Sequence, residues 1–236
     1  MHDLLMPQWA VDRVMERRGK LHVFEDINPK KTALIVIDLQ NGFMMPEHTP
    51  KPVVTAVETV PYINRLAAAL RKTGGKVFWI KNTVDDTNLA EWSNGFAMNR
   101  PETVKQRIET FRAGSPGHHL HPELEVFSQD EIVHKFRFSA FIQGSSDLPS
   151  RLRAQGFDTV LITGTVTNVC CESSARDAMM LNFRTIMVSD GNSARSDHEH
   201  TATLATFYAV FGDVMSTEML VNLLHVNAEP HAAAAE

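Results

Sequence analysis

Short apolar runs along this chain alternate with segments whose apolar residues recur every three or four positions. The runs at 33–38, 76–81, 131–135, 158–163 and 184–189 are rich in Val and Ile, the composition of strands buried on both faces of a sheet. Between the first two, 59–72 places Ile63, Leu66, Ala67 and Leu70 on one helical face and stops at Gly74-Gly75. A second helix is expected over 168–181. Ser196 with Glu199 three residues on reads as a capping box, opening a helix whose Leu204, Phe207, Tyr208 and Phe211 share a face. A short strand at 213–215 and a helix from Thr217 complete the series. The alternation predicts an α/β fold, a doubly wound three-layer sandwich around a mostly parallel six-stranded sheet.

Two regions break the pattern. Residues 83–128 form a long polar excursion carrying Trp92, Phe96, Met98, Phe111 and the cluster His118-His119-Leu120-His121; insertions of this length are commonly lids or binding loops. The first 30 residues contain an amphipathic helix, with Val11, Val14 and Met15 set against Arg13, Glu16, Arg17 and Arg18, suited to docking on the body or on a second subunit. The expected division is an extension over 1–30, one domain over 31–226 and an Ala-rich, fraying tail over 227–236. No internal repeat is visible.

Composition narrows the function classes. The 236 residues suit one domain, and 28 acidic against 23 basic side chains leave a net charge of −5, which argues against a nucleic-acid partner. No apolar stretch approaches the roughly 20 residues that span a bilayer, and the N-terminus lacks the features of a secretory signal. No membrane partner is expected, and the expected location is cytoplasmic. The two cysteines, Cys170 and Cys171, are neighbours, so no disulfide framework exists and any special role for a thiol is chemical.

In open α/β sheets, ligands sit beyond the carboxyl ends of the strands. Asp38 ends the first strand, Lys135 the third, and the fourth runs into Gly164-Thr165-Val166-Thr167-Asn168-Val169-Cys170. Cys170 falls in the first turn of a helix, where free amides and the helix dipole favour a thiolate and a nearby Lys135 would lower the thiol pKa further. The same amides suit an oxyanion, and Asp38 suits a proton shuttle. Each residue alone has a plainer explanation: a small hydrophobe, a surface lysine, a turn-forming carboxylate. Ile132 and Val133 favour burial of Lys135, and a buried lysine needs a carboxylate partner. The three together carry the argument. Cys171 shares a stripe of small residues with Ser174, Ala175 and Ala178 and reads as packing.

These motifs resemble the isochorismatase-like cysteine hydrolases. The nucleophile signature is matched by 161–178, the opening strand and its aspartate by 33–43, and the lysine segment by 133–141, in the family's order over about 32–220. The resemblance implies a triad of Asp38, Lys135 and Cys170. It also implies a non-prolyl cis peptide at Val166–Thr167 that aims the amides around Val166, Thr167 and Cys170 at an oxyanion. Nicotinamidases of the family carry an Asp-x-His metal motif after the second strand; here that strand is followed by Asn82-Thr83-Val84-Asp85-Asp86-Thr87. No metal and no cofactor are therefore expected, and His118, His119 and His121 read as a solvated loop. The vinyl-ether-cleaving members lack the cysteine, so its presence favours covalent amide hydrolysis.

Within the family the chain is most similar to the ureido and carbamoyl branch, which includes the ureidoacrylate, N-carbamoylsarcosine, biuret and triuret enzymes. The likeness rests on Gln40-Asn41, Asn82, Arg137-Phe138-Ser139, Thr167-Asn168-Val169-Cys170 and Glu172-Ser173. The segment after Asn82 and the length of the N-terminal extension depart from it, which leaves the substrate open. The expected function is a cysteine-dependent amidohydrolase that cleaves a C–N bond of a small ureido, carbamoyl or amide compound through an acyl-thioester and releases ammonia. The alternatives are an enol-ether hydrolase and a catalytically silent small-molecule binder. Phe43, Asn82, Trp92 and Phe138 are candidates for the substrate pocket, against ordinary packing. Arg137 is a candidate carboxylate clamp, on the side of Lys135 by strand alternation or simply beyond the strand's end. A homodimer or homotetramer is what the resemblance implies for assembly.

Overall fold

A computed structural model describes residue 2 and residues 5–228. Helix α1 (Gln8–Arg18) leads to β1 (Thr32–Ile37), the short α2 (Asn41–Met44), α3 (Thr55–Lys72) and β2 (Lys76–Asn82). Three helices follow, α4 (Asp86–Glu91), α5 (Ser93–Ala97) and α6 (Pro101–Phe111), before β3 (Glu131–Lys135). The chain continues through α7 (Leu148–Ala154), β4 (Thr159–Thr165), a π turn (Thr167–Cys171), α8 (Glu172–Met180) and β5 (Arg184–Ser193). It closes with α9 (Asp197–Val210), β6 (Asp213–Met215) and α10 (Thr217–Ala228).

The six strands form one sheet in the order β3-β2-β1-β4-β5-β6, and every pairing is parallel. Burial follows from the pleat, which points successive side chains to opposite faces. Along β1, Ala33, Ile35 and Ile37 enter the core shared with α1, α7, α8 and α9, while Leu34 and Val36 enter the core beneath α3 and α10. All six residues of β1 are buried, as the unbroken apolar run requires. Each fully buried Leu, Ile or Val contributes about 1.5–3 kcal/mol, so the sheet is covered on both sides. The fold is the doubly wound α/β sandwich expected, with no antiparallel strand in the sheet.

The order reverses between β1 and β4, and that switch leaves a crevice beyond their carboxyl ends. Close approach there depends on Gly164. It has φ of +120° and faces the partner strand so closely that a Cβ would strike the Ile37 carbonyl.

The N-terminal helix docks on the body of its own chain. Ala10 and Val14 are buried in the core, Arg17 donates to the Ala209 carbonyl, and Arg18 donates to the Tyr208 and Gly212 carbonyls. These guanidiniums satisfy carbonyls that the end of α9 leaves free. At the other terminus, α10 runs to Ala228 and Asn227 donates to the Glu25 and Ile27 carbonyls. The rest of the expected fraying tail lies outside the described residues. Among the described residues no helix is long and apolar enough to cross a membrane.

Residues 83–128 are not a polar loop. Asp85 caps α4 by accepting from the Asn88 amide at 2.7 Å, and the Asn88 side chain accepts from the Asp85 amide in return. The three helices enclose a small core of Val84, Phe96 and Phe111, with Phe43, Leu89, Trp92, Val104 and Ile108 against it. The segment's far end returns to the sheet, where Gln40 bridges Leu120 and the His121 amide donates to the Leu39 carbonyl at 2.9 Å. The insertion is therefore tied down beside the end of β1.

Candidate active site

The residue after β1, the last residue of β3 and the turn after β4 meet at the crevice. Asp38 turns the chain out of β1 with a left-handed φ of 57°, a conformation that short polar side chains tolerate. Its amide donates to the Ile80 carbonyl at 3.0 Å, which fixes the carboxylate over the sheet. Lys135 is the register partner of Asn82, so the two side chains project from the same face of the sheet. Cys170 lies in the π turn, which closes through the amides of Val169 and Cys171 onto the Val166 carbonyl.

Lys135 stands at the centre of the group. Its Nζ is 2.9 Å from Asp38 Oδ2, 3.0 Å from the Arg137 carbonyl oxygen and 3.6 Å from Cys170 Sγ. Two of the ammonium's three donors are engaged by the Arg137 carbonyl and the Cys170 sulfur, and the charge is paired with Asp38. Asp38 and Lys135 are fully buried and Cys170 is 6% exposed. Burial works against the Lys135 charge, but the Asp38 carboxylate beside it holds its pKa above the ordinary lysine value. Burial likewise raises Asp38 against the pull of Lys135. Among the described residues neither Asp38 oxygen has a well-angled hydrogen-bond partner. The carboxylate is held by the Lys135 ion pair, and its interaction with the neighbouring thiol helps set both proton affinities.

The thiol corrects one expectation from sequence. Burial pushes Cys170 up to about 12, and the nearby Lys135 only partly offsets this. The resting group is a thiol, because removal from water, with the Asp38 carboxylate alongside, outweighs the pull of Lys135; Cys170 sits in the π turn before α8 and not in the first turn of the helix. A carboxylate with raised proton affinity alongside is the base that such a thiol needs. Cys171 is completely buried, with its pKa raised by burial, and packs with Ser174, Ala175 and Ala178 against the sheet.

The non-prolyl cis peptide is at Thr165–Val166, one bond earlier than the resemblance implied. The ladder with β5 ends at Thr165, paired with Ser193, so the chain leaves the sheet before Val166. Thr167 is buried and its Oγ1 lies 2.9 Å from His200 Nδ1. Burial brings His200 down to about 4, and the ring is stacked 4.4 Å from that of His2.

The remaining candidates divide. Asn82 is buried beside the triad. Its backbone is clamped by Gln40, which accepts from the Asn82 amide at 2.8 Å and donates to its carbonyl at 3.1 Å, while its side-chain Nδ2 has no hydrogen-bond partner among the described residues. Trp92 stands edge-on to Phe138 at 4.9 Å and to Phe96 at 5.7 Å. Phe43 packs on Phe111 at 4.4 Å in the small core of the insertion. Arg137 stacks at 5.5 Å on Trp92 and pairs with Glu91 at 3.6 Å, so its charge already has a partner.

Two of the three clustered histidines are buried and not solvated. His118 Nε2 lies 2.9 Å from Thr83 Oγ1, and His121 accepts from the Glu123 amide; only His119 is exposed. They fasten the insertion to the sheet. Among the described residues no group of three or more His, Cys, Asp or Glu side chains is placed to hold a metal.

The sequence reading missed Gln40 as a clamp and Arg107 as a neighbour of the site. Arg107 lies among Trp92, Phe96 and Phe138. The available signal was Pro101 followed by Val104, Ile108 and Phe111, a helix start with an apolar stripe.

A doubly wound α/β fold with a buried Cys, Lys and Asp at its switch point defines the class, and the comparisons with known proteins give the family. A family model for the isochorismatase domain matches residues 32–219. The chain is 30% identical over 204 residues to ureidoacrylate amidohydrolase RutB of Caulobacter vibrioides, covering 81% of this chain and 90% of that one. It is also 30% identical over 199 residues to nicotinamidase 3 of Arabidopsis thaliana, covering 83% of this chain and 89% of that one. Among solved structures, a cysteine hydrolase from Pseudomonas syringae pv. phaseolicola superposes with a TM-score of 0.78 at 28% identity, covering 88% of this chain and 98% of that one. The protein belongs to the isochorismatase family and is a hydrolase of that family, with amidohydrolases among its relatives.

Proposed function

We propose that this protein is a cysteine-dependent amidohydrolase that cleaves a C–N bond of a small ureido or carbamoyl compound and releases ammonia. The observation that carries this reading is the buried Lys135 ammonium, placed 2.9 Å from Asp38 and 3.6 Å from Cys170. Asp38 takes the Cys170 proton as sulfur forms a bond to the substrate carbonyl carbon. Lys135 stabilises the thiolate character that develops, and the backbone amides around Val166, Thr167 and Cys170 receive the carbonyl oxygen as it becomes an oxyanion. Collapse breaks the C–N bond, Asp38 returns its proton to the departing nitrogen, and ammonia leaves an acyl-thioester on Cys170. Asp38 then deprotonates a water whose oxygen attacks the thioester carbon, expelling the sulfur and freeing the acid. Asn82 Nδ2, buried and unpartnered, is the pocket donor for a second polar group of the substrate. The relative named as a ureidoacrylate amidohydrolase supports the ureido class. The absence of Asp-x-His after β2 weighs against the nicotinamide class.

Ammonia release from ureidoacrylate, biuret, triuret, N-carbamoyl amino acids, maleamate and nicotinamide tests the reading. Release from one ureido compound is expected, with kcat/KM reduced at least about 10³-fold in Cys170→Ala and an acyl adduct on Cys170 in quenched mass spectra. Hydrolysis that survives Cys170→Ala would sink the covalent route. Pyruvate formed from isochorismate, with no ammonia from any amide, would favour the enol-ether reading.

A further inference from the structure

The insertion carries a cation that the proposed reaction leaves unused. Arg107, on α6, is partly buried, and its guanidinium carbon lies 5.8 Å from the ring centroid of Trp92, 5.5 Å from that of Phe96 and 5.7 Å from that of Phe138. Phe138 lies three residues beyond Lys135 and packs against the core cluster that contains Cys170, so this aromatic cage adjoins the candidate site. The neighbouring carboxylates are engaged by other cations: Glu91 by Arg137 at 3.6 Å, Asp86 by Arg112 at 3.1 Å and Glu109 by Lys105 at 4.0 Å. Arg107 has no carboxylate within ion-pair distance and no hydrogen-bond acceptor among the described residues. A guanidinium offers five N–H donors in a planar fork, and among the described residues no Arg107 nitrogen is sealed from solvent without a partner, so the fork is accessible to a ligand. The ring faces make the charge tolerable but leave its donors free. The Arg107 charge also contributes, as a minor cause, to the proton affinities of Asp38, Lys135 and Cys170.

We propose that Arg107 is the anion clamp of the active site. Its fork receives a carboxylate on the substrate in a two-bond arrangement, which makes the substrate class ureido or carbamoyl acids and not neutral amides such as biuret. The proposal rests on the amidohydrolase reading for its chemistry but not for its binding. It assigns to Arg107 the role that sequence suggested for Arg137, whose charge Glu91 already neutralises.

The test pairs N-carbamoylglycine with its carboxamide in the wild type, Arg107→Met and Arg107→Lys. The expected result in Arg107→Met is a KM for the carboxylate raised about 100-fold, with a much smaller loss for the carboxamide, so that the preference between them collapses. Arg107→Lys restores part of it, since a point charge remains but the fork does not. Equal losses on both compounds, or an unchanged preference, overturn the clamp. Calorimetric titration of N-carbamoylglycine and ureidoacrylate into Cys170→Ala, with and without Arg107→Met, separates the two readings. Arg107-dependent binding in a protein that hydrolyses neither compound would remove the amidohydrolase reading and keep the clamp. Hydrolysis with binding indifferent to Arg107, or no binding of either carboxylate, would remove the clamp.

Discussion

The triad and the insertion beside it are built in opposite ways. Asp38, Lys135 and Cys170 are carried at the ends of β1, β3 and β4, strands whose registers are fixed by ladders on both sides or by a neighbour, and of the three only Lys135 is aimed by strand alternation. A slip of one residue would turn every side chain of a strand to the other face. The insertion has no ladder of its own. Its position rests on a cluster of three buried residues, on a capping box, and on anchors such as the Asn88 side chain donating to the Phe136 carbonyl at 2.9 Å. The candidate triad is thus held at strand ends by backbone ladders, and the insertion beside it by side-chain packing and local caps.

The largest effect that would break this comparison is Asp38→Asn. It removes the base and leaves the Lys135 charge buried without a carboxylate, so kcat/KM should fall by about 10²–10⁴-fold and stability by about 3–5 kcal/mol. Activity assays and denaturant midpoints read the two together. Unchanged stability would mean that the ion pair does not carry charge in the folded protein.

Phe111→Ala is smaller and local. Emptying the centre of the insertion core should cost about 3 kcal/mol, seen as faster hydrogen exchange over residues 84–111 and a raised KM, with the amides of β1 and β4 still protected. Equal loss of protection in those strands would show that the insertion is not a separate unit.

The smallest effect concerns acid. His200 and His118 both lie at about 4 in the folded protein, against 6.5 for an ordinary histidine, chiefly because burial disfavours their charged forms. Between those values the unfolded chain binds more protons than the folded one, so stability declines as pH falls from about 6.5 towards 4. His200→Asn should flatten part of that slope in denaturant titrations taken across the window, and a slope unchanged by the substitution would place the titrating group elsewhere. Loosening of the Thr167 turn should accompany the decline, because Thr167 is the partner of His200.

Much of this protein was legible in the order of its residues. The apolar runs placed all six strands, although β3 at the sheet edge exposes Ile132 and His134 and is not buried on both faces as its run suggested, and the rule that ligands gather at strand ends singled out Asp38, Lys135 and Cys170. The spacing of small residues after Cys171 marked it as the packing cysteine, and the structure seats it with Ser174, Ala175 and Ala178 among the buried residues of α8. Other features had no local signature. The charge state of Cys170 depends on how completely three elements from distant parts of the chain exclude water, and burial there outweighs the lysine that sequence could foresee. The ladder with β5 extends to Thr165 through its pairing with Ser193, 28 positions away, which sequence did not show. Whether an arginine is paired is decided the same way: Glu91 reaches Arg137 and no carboxylate reaches Arg107, although both cations look alike in sequence. Residue pattern determined the fold and the reactive trio, because periodicity and strand ends are local properties. Tertiary packing decided proton affinities, pairing and the shape of the substrate wall, because desolvation and charge neutralisation depend on what the rest of the chain brings alongside.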